Sequence, residues 1–120
     1  MSHATIPDAD GLLSIRVTRA PNRRPGESGG LPLAHWLRVV EGDPSLLLID
    51  HVDGIDPQSH EPMRIPCPNA ARWLAHPDRV PFVFYYSAGE VVLHSGDRHT
   101  ALKAQALAAL LQAHITIDVD

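Results

Sequence analysis

The sequence is short of cysteine, of lysine and of aromatic residues, and it has no long apolar run. Cys67 is the only cysteine, which excludes an intramolecular disulfide and an all-cysteine zinc site. Lys103 is the only lysine, and with nine arginines it faces 14 acids, for a formal net charge of −4. Proteins that grip nucleic acid usually show a basic face, so nucleic acid is not an expected partner. No stretch approaches the roughly 18 apolar residues of a membrane span. Residues 1–10 lack a basic-then-apolar leader, and residues 117–120 match no lipidation box. The expectation is a cytoplasmic protein with no membrane association and no cofactor.

What is present fits one globular domain. The 120 residues are 44% hydrophobic and 20% charged, which places the core-forming domain at 11–120 and a polar, flexible arm at 1–10. A chain this long buries roughly two-thirds of its unfolded surface, enough for a core without staples. Charge is uneven: residues 1–40 carry +2 and residues 41–80 carry −4.

The periodicities give an order of elements. Leu13, Ile15 and Val17 alternate with Ser14, Arg16 and Thr18, as in a strand with one buried face. Residues 20–30 then form a loop rich in Pro, Gly and Arg. Leu33, Trp36, Leu37 and Val40 make one stripe of a helix, with Pro32 in its first turn and Gly42 in the left-handed position past its end. Leu46, Leu47, Leu48 and Ile49 read as a strand buried on both faces. Residues 51–68 read as a second long loop. Asn69 caps a predicted short helix over 70–76, which Pro77 stops. Trp36 and Trp73 fall on predicted core positions.

Residues 82–86 and 91–93 flank a turn and predict a hairpin. Asp97 or Thr100 caps a last helix to about residue 113, with Leu102, Ala106, Leu107, Leu110 and Leu111 as its apolar side. Ile115, Ile117 and Val119 alternate with polar residues and offer a possible sixth strand.

The resulting order is βαβαββα. The stretch Val80-Pro81-Phe82-Val83-Phe84-Tyr85-Tyr86-Ser87-Ala88-Gly89-Glu90-Val91 resembles the thioredoxin-like superfamily: an aliphatic residue, a proline, an apolar strand ending in an aromatic, and a Gly-Glu-Val turn. Gly96, Leu102 and Leu107 fall near that family's glycine and last-helix leucines. The resemblance covers about residues 80–113. It implies an α/β fold on the α+β boundary, with a mixed sheet, helices on both faces, and a cis bond between Val80 and Pro81. The family's Cys-x-x-Cys pair is missing, so dithiol exchange is excluded. Members without the dithiol act as adaptors or chaperones, which implies a non-catalytic, non-redox binding or assembly module whose partner is another protein.

Several residues carry chemistry. Arg19, Arg23 and Arg24, with Gly29 and Gly30, lead into a helix start, where backbone N–H groups and arginines bind anions. By resemblance this loop lies beside Val80 and Pro81, and together these residues form the candidate binding site. Cys67 precedes the predicted helix at 70, a setting that stabilises a thiolate, and it is the one candidate nucleophile. Asp50, His51, Asp53, Asp56 and His60 offer nitrogen and carboxylate donors at short spacing and are candidate metal ligands. The alternatives to a binding module are therefore a single-cysteine or glutathione-linked thiol enzyme, or a metal-assisted hydrolase using residues 50–61. No serine lies in a G-x-S-x-G setting. An unpaired strand carrying Ile115, Ile117 and Val119 would also allow a homodimer.

Overall fold

The computed structural model describes residues 13–20, 22, 24 and 27–119. The predicted arm at 1–10 and the candidate Arg23 lie outside the described residues. The order is β1 (Leu13–Thr18), α1 (Leu33–Glu41), β2 (Leu46–Ile55), β3 (Pro62–Trp73), β4 (Phe82–Ser87), β5 (Glu90–Gly96), α2 (Arg98–Leu111) and β6 (His114–Val119).

The strands form one sheet in the order β2-β3-β4-β5-β1-β6. Every neighbouring pair is antiparallel. This corrects the thioredoxin-like expectation of a mixed sheet with helices on both faces. Four strands follow one another as a meander from β2 to β5, where the expected α/β order needs a helix after the second strand. Both helices share one face. They contact each other, α1 touches β2, and α2 touches β1, β5 and β6.

The register explains the single helical layer. Ile15 lies opposite Leu93 and Val17 opposite Val91, while Ala71 faces Phe84 and Trp73 faces Phe82. These residues point to one side and, with Phe82 half-buried against the rest, join Trp36, Val40, Ala104, Leu107 and Leu111 in one cluster. Trp36 and Trp73 are both in it, as their positions predicted. The other face carries Arg16, Val83, Tyr85 and Val92, all half-buried. Among the described residues no helix covers that face.

Three further expectations are corrected. The predicted helix at 70–76 is the end of β3, because Ala70 to Trp73 pair with β2 while β4 takes the other edge of residues 71–73. The run at 46–49 is an edge strand, with Leu46 buried but Leu47 and Leu48 exposed. Gly42 takes an ordinary right-handed conformation, at φ −82°, whereas the left-handed helix end falls at Gln112, φ 52°.

The fold is held by long-range hydrogen bonds as well as by the core. The Arg19 Nε–H donates to the Leu111 carbonyl at 3.0 Å, and its Nη2 donates to His35 Nδ1 at 2.8 Å. The Trp36 indole N–H donates to the Asn69 carbonyl at 2.7 Å. Lys103 on α2 is paired with Asp43 after α1. Burial alone would raise the Asp43 carboxyl, but hydrogen bonds from Lys103 and Ser45 outweigh it and hold the group low.

Candidate functional site

The structure separates the two halves of the predicted binding site. The loop from Arg19 is pinned at the β4–β5 turn, where the Leu31 N–H donates to the Gly89 carbonyl and the Tyr86 hydroxyl donates to the Leu31 carbonyl. Gly29 and Gly30 line a shallow recess with Ala88 and Gly89. Val80 and Pro81 precede the opposite end of β4, six residues away at about 3.3 Å each. The bond between Val80 and Pro81 is trans, as no described peptide bond is cis. Arg19 is engaged by Leu111 and His35, and the Arg24 N–H donates to the Glu27 carboxylate.

The candidate metal ligands are spread along a hairpin. Asp50 and His51 bond each other at 2.6 Å. Hydrogen bonding and charge from His51 hold the Asp50 carboxyl below its usual range. Asp53 lies across from Arg64. The Asp56 carboxylate accepts the N–H groups of Gln58 and Ser59 and closes the tip, followed by His60 at φ 59°. No three of these residues converge as an ion would require; among the described residues only His76, Asp78 and Asp97 do.

Cys67 sits within β3 and not before a helix. Burial, with the nearby charge of Asp50, pushes its thiol up. The thiolate-stabilising setting expected from the sequence is absent because the helix is absent.

His76, Asp78 and Asp97 form the tightest polar group that the sequence did not bring together. Their ligand atoms lie within 4.8 Å of one another. The Asp78 backbone N–H donates to His76 Nδ1 at 3.0 Å, so the imidazole proton is on Nε2, which donates to Asp97 Oδ2 at 2.6 Å. Asp97 Oδ1 accepts the Thr100 N–H, and the Thr100 hydroxyl closes a reciprocal capping box at the start of α2. The His76 side chain is only 1% exposed and is ringed by Trp73, Phe82 and His99. Both ring nitrogens are already used and the ring is closed off from solvent, so this group locks α2 to the β3–β4 connection. Of its bonds, only the Asp97 cap was legible, since the partners are 21 residues apart.

The exposed chemistry lies elsewhere, on the β2–β3 hairpin. Residues 51–55 pair only with 62–66, because β4 covers β3 no further than Ala71. The result is an arm that runs past the body of the sheet, in a molecule 48 Å long and 33 by 29 Å across. On one arm face Val52, Met63 and Ile65 gather around Gly54. A Cβ at Gly54 would meet Ile65 Cδ1 at 2.9 Å, so glycine lets that side chain fold across the strand. On the other face Asp53 and Ile55 oppose Arg64 and Pro62. Ile55 is 68% exposed, and Leu47, Leu48, Met63 and Ile65 are exposed too. Where arm and sheet meet, a bulge sets Cys67, Pro68 and Asn69 against Asp50 alone, with Asn69 at φ 67°. A groove beside it is lined by Ile49, Asp50, Pro68 and Arg72. The buried Nε of Arg72 there has no hydrogen-bond partner.

The expected homodimer residues lie at the opposite edge. Ile115 and Ile117 pack against the core, and the side chain of Val119 lies outside the described residues. Among the described residues no helix is long and apolar enough to cross a membrane. No family model, no curated protein and no solved structure matches this chain.

Proposed function

We propose that this protein is a non-catalytic binding or assembly module whose β2–β3 arm docks another protein. The observation that carries this is the arm itself: Ile55, Met63 and Ile65 stand in solvent on residues 51–66, none of which belongs to the buried core. Met63 and Ile65 stand side by side on one face of the arm and Ile55 on the other, and apolar side chains grouped in solvent on an element outside the core suit an interaction surface. Further support comes from the chemistry of the half-buried Cys67 and the buried His76. The Cys67 thiol is pushed up rather than activated, and His76 has both nitrogens engaged.

The test is a chain with Ile55→Lys, Met63→Lys and Ile65→Lys. These positions are exposed, so its melting temperature stays within a few degrees of the parent. Cross-linking in cell extract followed by mass spectrometry recovers a defined partner with the parent and loses it with the variant. Equal recovery with both chains sinks the proposal.

A further inference from the structure

The two edges of the arm differ in a way that decides how a partner docks. β3 carries Pro62, Pro66 and Pro68. None has an N–H, so that edge is a poor template for another strand. β2 has no proline between Leu46 and Ile55 and is the terminal strand of the sheet. Among the described residues nothing pairs with its outer edge, which presents a ladder of backbone donors and acceptors. Lysine, proline and an early stop, three devices that blunt such an edge, are missing along ten residues, and what interrupts it is the bulge at Asp50 and the acids Asp50 and Asp53.

The side chains flanking that edge have a definite character. Leu47, Leu48 and Ile55 are exposed and apolar. Asp50 and Asp53 are exposed acids three positions apart, hence on opposite faces of the strand. Over residues 46–66 there are four acids against one arginine.

Resting on the docking role proposed above, we propose that the β2 edge takes an extended segment of another protein as a seventh strand, apolar along its length with two cations set opposite Asp50 and Asp53. Backbone hydrogen bonds give such strand addition its affinity, and the flanking side chains give it selectivity. A second copy of this chain is a poor occupant. Two β2 edges laid together set one acidic stretch against the other, and like charges facing across strands destabilise. The β6 edge offers Asp118 and no lysine or arginine.

The probe is a short capped peptide of valine and threonine carrying two arginines three residues apart. The control has two glutamates in their place. Binding to the full chain is followed by fluorescence anisotropy and by amide NMR shifts. The arginine peptide is expected to bind at least about tenfold more tightly at low salt, less so as salt rises, with shifts centred on 46–55. Asp50→Lys with Asp53→Lys, both at exposed positions, is expected to reverse the preference. Equal binding of the two peptides, or an unaltered preference in the variant, overturns the inference. So does a solution mass of twice 13.1 kDa that falls to the monomer on the same substitutions, because the edge would then belong to a second copy. If the peptides fail to discriminate while the Ile55, Met63 and Ile65 variant still loses its partner, the arm remains a docking surface and only the strand-addition mode falls. If that variant keeps its partner, the docking role itself falls.

Discussion

Asp97 uses its two carboxylate oxygens for two elements at once, capping α2 through Thr100 and holding the buried His76 ring. Asp97→Ala removes the cap, at about 1 kcal/mol, and strands a buried imidazole N–H, at about 1–3 kcal/mol. The expected loss is about 2–4 kcal/mol in urea unfolding, and a change below about 0.5 kcal/mol would refute the double role. The pH dependence has a definite sign. Burial alone would raise the Asp97 carboxyl, but the Thr100 N–H and His76 outweigh it and hold the group below its ordinary 3.8. As pH falls past that ordinary value, the unfolded chain takes up the proton first. The stabilisation is therefore complete above it and drains away as pH drops through the lowered folded value. Asp97→Asn is expected to flatten part of this acid limb when urea midpoints are compared between neutral pH and about pH 3. Asp43, also held low, keeps its own share.

Helix α2 shows how an element can be found while its orientation is missed. Its start is legible in Asp97 and Thr100, and Leu107 and Leu111 are buried as expected, but Leu102, Ala106 and Leu110, expected on the same side, face solvent. Leu102 and Leu110 are exposed, and the buried side is Ala101, Ala104, Leu107, Ala108 and Leu111. Alanines let the helix lie close on β1, β5 and β6, and leucines at those positions would hold it off. Leu107→Ala is thus expected to cost about 2–5 kcal/mol, whereas Leu110→Ala stays within about 0.5 kcal/mol. Equal losses in thermal or urea unfolding would contradict this orientation. Elsewhere, alternation marked β1, the stripe through Trp36 marked α1, and residues 82–93 marked the β4–β5 hairpin. The arm was illegible because its prolines read as loop. They are tolerated there because residues 62–66 of β3 pair on one side only. The leucine run at 46–49 misled in the opposite sense, since apolarity marks a strand buried on both faces and an exposed edge strand in the same way. His76 carried no local signal, as its role depends on a partner in another element.

At the scale of the molecule, stability is uneven. β1 is bonded to β5 on one side and β6 on the other and lies beneath α2, while residues 51–66 form a two-stranded extension. Native-state hydrogen exchange is expected to be slowest in β1, set by global unfolding, and faster by orders of magnitude in the arm, set by local opening. Uniform protection across both would refute this gradient. The place of β1 also bears on the order of assembly on the ribosome. The stretch from β2 to β5 emerges as a meander whose strands pair with what has just been made. β1 emerges first, yet its two neighbours begin at Glu90 and His114. Among the described strands the one made earliest is therefore the one that waits longest, and its second edge is closed only once β6 has been made.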